Sequence, residues 1–122
     1  MGHHEHGAAV RDDGRELGRQ LRRAIPAVYR GYAGLHDAAL SEGALDRRTK
    51  ELIALAIAVT RECDGCIAAH AQGAATHGAS EAQVAEALGV AILMNGGPAT
   101  VYGPRAFDAF REFAAGSTST CG

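Results

Sequence analysis

Eight consecutive apolar residues, from Leu52 to Val59, constrain the fold of this chain more than any other feature. The run follows a charged Lys-Glu pair and is rich in alanine, which favours a helix over the competing interpretation as a strand. Because a helix that is apolar all round is covered on several sides, this segment predicts a buried central helix. Asp46 is placed to cap that helix, which we expect to span residues 47–60.

Five further helices are indicated by apolar spacing together with capping and stop signals. The chain has 26 alanines among 122 residues and no tryptophan, a bias that favours closely packed helices over sheet. Ser80 and Gln83 have the form of a capping box, and the Asn-Gly-Gly-Pro segment at 95–98 predicts a break. The other predicted helices span 12–23, 26 to a stop near Gly43, 64–77, a segment after Ser80, and a segment after Pro98.

Within these helices the apolar side chains fall on common faces. Val84, Leu88, Ala91 and Ile92 form the predicted inner face of the fifth helix. Val28, Tyr32, Leu35 and Ala39 share one face of the second helix, and Tyr102, Ala106, Ala109 and Phe113 share one face of the sixth. We therefore predict an all-α bundle of about six helices forming one domain over residues 12–115. A flexible N-terminal segment (1–11) and a flexible tail (116–122) flank it.

Composition and charge exclude several classes of function. The net charge of -2 and the pI of about 6.3 provide no basic field for a nucleic acid or an anionic membrane. No run of 18 apolar residues is present to span a membrane, and the polar N-terminus lacks the apolar core of a signal peptide. Three cysteines do not form the disulfide framework of a secreted domain, so we expect a cytoplasmic protein.

The segment from Cys63 to His70 carries the chemistry. If Cys63 begins a helix, its Cα lies about 5 Å from that of Cys66, within the span of a disulfide. Cys66 and His70 are four residues apart, so their side chains share one helix face. The free amides and dipole of a first helical turn, together with an imidazolium, lower the pKa of a cysteine placed there. The pattern therefore indicates a reactive thiolate.

The geometry of an antiparallel helix pair places Glu51 next to His70. If the third and fourth helices reverse near residues 61–62, Glu51 lies opposite residue 72. His70 is then about 3 Å away along the axis, at 1.5 Å of rise per residue. We expect Glu51 to orient the imidazole of His70 or to move its proton.

Other interpretations of these residues remain open. A Cys-x-x-Cys pair can be structural, or it can bind zinc, which needs four ligands. After the two cysteines and His70, the remaining zinc ligands would be His77, Glu51 or a residue of an oligomeric neighbour. Side chains interpreted as incidental, solvated or structural are His36, His77, the N-terminal His3, His4 and His6, Cys121, Tyr102 and the three phenylalanines.

Five segments in order resemble the AhpD-like core of the carboxymuconolactone decarboxylase superfamily. They are Lys50-Glu-Leu-Ile-Ala-Leu-Ala-Ile-Ala-Val59, Cys63-Asp-Gly-Cys-Ile-Ala-Ala-His70, Gly78-Ala-Ser80, Glu86-Ala-Leu88 and Gly96-Gly-Pro-Ala99. The resemblance covers about residues 47–102 and implies thiol-dependent peroxidase or disulfide-reductase chemistry. It assigns Cys66 as the peroxide-attacking cysteine and Cys63 as the proton donor and resolving cysteine. It assigns His70 and Glu51 as the proton relay.

The sequence departs from the resembled enzymes in one respect and supports the assignment in another. The best characterised alkylhydroperoxidases of this type have an extra histidine where this chain has Gly65. The lactone decarboxylases of the superfamily lack the cysteine pair, so its presence argues against decarboxylation. No flavin, haem or nucleotide motif is present, so we expect no cofactor, a hydroperoxide substrate, and electrons from an external thiol or protein reductant.

The sequence leaves two alternative functions open and also predicts self-association. The cysteine pair could instead serve a non-catalytic redox switch or binding module, or the chain could be a metal-binding protein. The surplus of apolar surface on so small a domain predicts self-association. The resemblance implies a homotrimer or a homohexamer.

Overall fold

The computed structural model describes residues 4–121 and, within that range, the side chains up to Gly116. The described part contains helices and no strand. The helices are α1 (Ala8–Ala24), α2 (Pro26–Leu40), α3 (Arg47–Thr60), α4 (Asp64–Thr76), α5 (Glu81–Asn95) and α6 (Gly97–Cys121). The predicted all-α, single-domain fold is confirmed.

Local signals determine where several helices begin and end. The Asp46 carboxylate accepts a hydrogen bond of 2.8 Å from the backbone N–H of Thr49, and α3 has the predicted bounds. Ser80 and Gln83 form the reciprocal capping box that opens α5. Gly96, at a φ of 72°, ends α5 in a left-handed conformation that glycine adopts without strain.

The core lies where α3 packs against α4, α5 and α6. Its largest fully buried apolar side chains are Leu55, Ile67, Val59 and Val84. The remaining core positions are mostly alanines, six of which have no exposed surface: Ala68, Ala71, Ala74, Ala99, Ala106 and Ala109. Small side chains at these contacts allow the helix axes to approach closely.

Helical structure extends beyond the predicted range of residues 12–115 at both ends. The backbone N–H of Ala8 donates to Glu112 Oε1 at 3.3 Å, and the Arg11 guanidinium lies 5.3 Å from the centre of the Phe113 ring. These contacts anchor the first turn of α1 on α6, which itself continues to Cys121. The flexibility of segments 1–11 and 116–122 stays a prediction, and residues 1–3 and 122 lie outside the described residues. At its own C-terminus α2 ends at Leu40, three residues before Gly43.

Several helices expose apolar side chains to solvent in the single chain. On α2, Val28, Tyr32 and Leu35 of the predicted apolar face are 63%, 66% and 63% exposed, and only Leu40 is buried. The periodicity of the sequence identifies this apolar face but not what packs against it. Ile92, predicted to face inward, is 38% exposed. The central helix α3 likewise leaves Ile53 and Ile57 exposed.

None of the helices in residues 4–121 combines the length and the apolar character that crossing a bilayer requires.

Candidate functional site

The cysteine pair lies at the N-terminus of α4. Cys63 is the N-cap residue, and its Sγ accepts a hydrogen bond of 3.2 Å from the backbone N–H of Cys66. The two cysteines form a disulfide with their Cα atoms 5.3 Å apart, close to the separation expected from helix geometry. Cys66 is exposed and Cys63 is half-buried. An attacking thiol at Cys66 is therefore open to an incoming molecule.

A tight reversal of the chain connects the end of α3 to the cysteine pair at the start of α4. Glu62 has a φ of 54°, in the left-handed region that residues other than glycine seldom adopt. The backbone N–H of Cys63 then donates to the carbonyl of Ala58 at 3.2 Å, which ties the start of α4 to the end of α3. The reversal makes α3 and α4 antiparallel neighbours, as the sequence argument assumed.

Glu51 and His70 meet across that helix pair. Glu51 Oε1 lies 2.8 Å from His70 Nδ1, and Glu51 Oε2 accepts a hydrogen bond of 2.8 Å from Arg47 Nε. The glutamate side chain is only 2% exposed. Its two carboxylate oxygens are therefore buried, and each contacts a polar partner. The predicted contact between Glu51 and His70 is present.

The charge state of Glu51 determines which tautomer His70 adopts. Burial raises the pKa of Glu51, but the hydrogen bonds from His70 and Arg47 lower it further, and the net result is a pKa below the ordinary value of 4.5. An ionised carboxylate only accepts hydrogen bonds, so His70 Nδ1 must carry a proton and donate it. In the neutral ring this leaves Nε2 as the basic nitrogen. His70 is thus arranged to take a proton at Nε2.

The lowered pKa of Glu51 predicts a loss of stability in acid. A carboxyl group whose pKa is depressed by folding contributes stability above its ordinary value of 4.5, and that contribution is lost as the pH falls through the folded value. We expect Glu51→Gln to lower the free energy of unfolding at pH 7 and to reduce its decline between pH 5 and 3. Urea unfolding at several pH values measures both, with the exposed Glu16→Gln as matched control. An acid decline as steep in Glu51→Gln as in the wild type would contradict the assignment.

Two residues that contact the site were not identified from the sequence. Arg47 pairs with Glu51 at a spacing of four residues, a signal that was available in the sequence. Arg105 of α6 reaches Asp64, between the two cysteines, at 3.5 Å. Its guanidinium also lies 4.4 Å from the centre of the Tyr102 ring. No local pattern in the sequence indicates the contact between Arg105 and Asp64, because these residues are 41 positions apart.

His36, interpreted from the sequence as a solvated helix histidine, has a side chain that is 38% exposed and lies beside His70. Its ring lies nearly parallel to that of His70, with centroids 6.0 Å apart and an interplanar angle of 18°. His77, the other histidine given that interpretation, is the exposed C-cap residue of α4. His3 and the side chain of Cys121 lie outside the described residues.

The described grooves of a single chain do not enclose the cysteines. A groove of about 700 Å³ lies between the N-terminal segment and α6 and is lined by His4, Phe107 and Arg111 among others. A second groove, of about 470 Å³, lies between α1, α4 and α6. Neither is lined by Cys63, Cys66 or His70. Cys66 is instead exposed on the surface of the single chain.

The sequence profile of the carboxymuconolactone decarboxylase family matches residues 26–112, which include α2 to α5 and most of α6. The chain belongs to this family. The structure resembles a crystal structure of a carboxymuconolactone decarboxylase family protein from Legionella pneumophila in its apo form. The TM-score is 0.83 at 39% identity, and the match covers 87% of this chain and 95% of that one. The resemblance derived from the five sequence segments is confirmed at the level of the superfamily.

Relatives from other bacteria span nearly the same length. A protein from Haemophilus influenzae is 46% identical over 106 residues, covering 87% of this chain and 90% of the relative. A protein from Cupriavidus necator is 40% identical over 98 residues, covering 78% of this chain and 87% of the relative. Uncharacterized protein 4 of the cox locus of Paracoccus denitrificans is 37% identical over 93 residues, covering 76% of this chain and 84% of the relative. All three are described as uncharacterized, so the activity of this family member must be argued from its site.

Proposed function

We propose that this carboxymuconolactone decarboxylase family member is a thiol-dependent peroxidase or disulfide oxidoreductase. One observation carries the proposal: an exposed Cys66 pairs with Cys63 at a helix N-terminus, and the following turn of that helix bears a histidine held by a buried glutamate. A helix N-terminus stabilises a thiolate, and a neighbouring base provides a path for its proton. This combination is what reversible thiol chemistry requires.

The reaction with a hydroperoxide begins at Cys66. The Cys66 thiol gives its proton to His70 Nε2, and the thiolate attacks one oxygen of the peroxide. The S–O bond forms as the O–O bond breaks, and the leaving alkoxide takes the proton from His70 to become an alcohol. The product is a sulfenic acid on Cys66. Glu51 compensates the transient charge on His70, because its carboxylate lies 2.8 Å from Nδ1.

Cys63 completes the cycle. Its thiol loses a proton and its sulfur attacks the sulfenic sulfur, so that an S–S bond forms and the hydroxyl group leaves as water. An external thiol or protein reductant then supplies two electrons and two protons to reopen the disulfide. The active thiols lie in the first turn of α4, within reach of such a reductant.

A turnover assay distinguishes this proposal from its alternatives. We expect reduced protein to consume several equivalents of a hydroperoxide when a dithiol reductant is present. If the protein consumes one equivalent of hydroperoxide and then stops, it is a redox switch and not an enzyme. Stoichiometric metal in tag-free protein would favour the metal-binding alternative. In the described part of the chain, no three His, Cys, Asp or Glu side chains are grouped to hold a metal ion.

We also propose that the chain self-associates as a trimer or hexamer. The exposed apolar side chains of α1 and α2 form one continuous groove lined by Leu21, Ile25, Val28, Tyr29 and Tyr32. A second exposed apolar group, on α5 and α6, comprises Val90, Leu93, Met94 and Val101. Large apolar patches are rare on monomers, and a second copy would cover them.

Light scattering coupled to size exclusion should give a mass of three or six times 12.6 kDa. We expect Leu35→Lys, which places a charge on the exposed apolar face of α2, to lower that mass. Arg30→Lys, an exposed and charge-conserving change on the same helix, is the matched control and should leave the mass unchanged. A wild-type mass of 12.6 kDa at micromolar concentration would contradict self-association, and a dimer would contradict only the stoichiometry.

A further inference from the structure

The imidazole of His70 has a second neighbour besides Glu51. His36, in the C-terminal half of α2, presents its ring nearly parallel to that of His70, at 6.0 Å between centroids and 18° between planes. Ring pairs at such separations attract each other in offset arrangements. The His36 side chain is 38% exposed and that of His70 is 19% exposed, so the pair lies at the edge of the site, between the buried Glu51 and the solvent.

The two contacts of His70 constrain different movements of its ring. The hydrogen bond to Glu51 anchors His70 at Nδ1, and the ring plane can still tilt about the anchored side of the ring. The nearly parallel His36 ring opposes this tilt, because turning the imidazole would disturb the offset arrangement of the two rings. Proton transfer depends on the position of the other nitrogen, and displacements of about 1 Å are costly in catalysis.

The helix that carries His36 has little other contact with the site. α2 packs against α1 and α3, and within it only Leu40 is buried. The Nδ1 atom of His36 also lies 3.6 Å from a carboxylate oxygen of the exposed Asp37. The contact with His70 is therefore a specific feature of α2 rather than a by-product of a packed core.

We propose that His36 is a positioning residue that holds the His70 imidazole in the plane from which it exchanges a proton with Cys66. The inference rests on the proposed function, because it assigns His36 a role only through His70. It identifies α2, which the cysteine motif does not include, as part of the reactive site. A flat ring at position 36 is the required feature, and a second proton acceptor there is not.

The test measures the alkylation rate of Cys66 in the reduced protein at pH 7, with iodoacetamide as the probe. Fragment-ion mass spectrometry distinguishes Cys66 from Cys63. We expect His36→Ala to slow this reaction by about fivefold. His36→Phe, which keeps a flat ring, should restore the rate to within about twofold of the wild type. His77→Ala is the matched histidine control on an exposed position and should have no effect. Circular dichroism of each variant verifies folding.

A double-mutant cycle separates this inference from the proposed function. In a His70→Ala background, adding His36→Ala should cause no further loss of rate. An equal loss in both backgrounds, or a failure of His36→Phe to restore the rate, would overturn the positioning role of His36. If His70→Ala slows alkylation and His36→Ala does not, only this inference fails. If His70→Ala itself leaves the rate unchanged, the relay of the proposed function fails and the positioning role of His36 fails with it.

Discussion

Replacing Cys66 with serine should abolish hydroperoxide consumption, lowering turnover by about three orders of magnitude or more. A serine hydroxyl is not ionised near neutral pH, so it cannot replace the thiolate that attacks the peroxide oxygen in the proposed mechanism. Cys66 is also the exposed member of the pair, whereas Cys63 is half-buried at the N-cap. The expected result is that Cys66→Ser forms neither a sulfenic acid nor the disulfide.

Cys63→Ser should behave differently, because it removes only the resolving thiol. We expect this variant to react with one equivalent of hydroperoxide and then to stop. The sulfenic acid on Cys66 has no internal partner, so it should accumulate and be trapped by dimedone, which mass spectrometry detects at Cys66. Turnover with a dithiol reductant should be slower than in the wild type, since the external thiol must attack the sulfenic acid directly.

Cys121→Ser is the matched control for both variants. This cysteine lies at the end of α6, far along the chain from the pair at α4. We expect its replacement to leave turnover within about twofold of the wild type. Sulfenic acid trapped at residue 63 in Cys66→Ser would reverse the two roles. Loss of turnover in Cys121→Ser alone would assign the nucleophile to the tail instead.

The extent to which this site was predictable depends on the range of the interactions. The bounds of α3 were predicted because Asp46 and the apolar run act within one helix. The contact of Glu51 with His70 was predicted because two consecutive helices joined by a short reversal must be antiparallel. In both cases the geometry follows from neighbouring stretches of sequence.

The contacts of the site that come from other helices were not predictable in this way. His36 meets His70 because of how α2 crosses the bundle, and that crossing leaves no periodic signal in the sequence. Arg105 reaches Asp64 from α6 for the same reason. The exposed apolar face of α2 illustrates a related limit. The sequence pattern identifies the apolar residues of a helix face, but which surface packs against that face depends on the tertiary or quaternary structure.

Gly73 should be the position where adding a single methyl group has the largest effect on stability. A Cβ built on Gly73 would collide with the carboxylate of Glu51, because α4 passes directly over that side chain. The carboxylate is 2% exposed and tied to His70 and Arg47, so it cannot move aside without breaking both contacts. We therefore expect Gly73→Ala to destabilise the fold by about 2–4 kcal/mol through overpacking and disruption of the buried ion pair.

Gly89 provides the matched control, since it also lies inside a helix but has nothing within 4 Å of an added Cβ. Alanine has the higher helix propensity, so Gly89→Ala should stabilise the protein by about 0.5–1 kcal/mol. Urea unfolding of both variants should therefore shift the midpoint in opposite directions. If the two glycines respond alike, the glutamate does not occupy the space opposite Gly73.

The clash also predicts a coupling between stability and reactivity. Displacing the carboxylate from His70 leaves the imidazole without its anchor, so both Gly73→Ala and Glu51→Ala should slow alkylation of Cys66. In a Glu51→Ala background the added methyl group meets no carboxylate, and Gly73→Ala should then cost little in either measurement. An undiminished cost in that background would mean that the methyl group acts on the packing of α4 itself. The cost of Gly73→Ala should disappear in this background because the space next to Gly73 is otherwise occupied by the Glu51 carboxylate, which contacts His70.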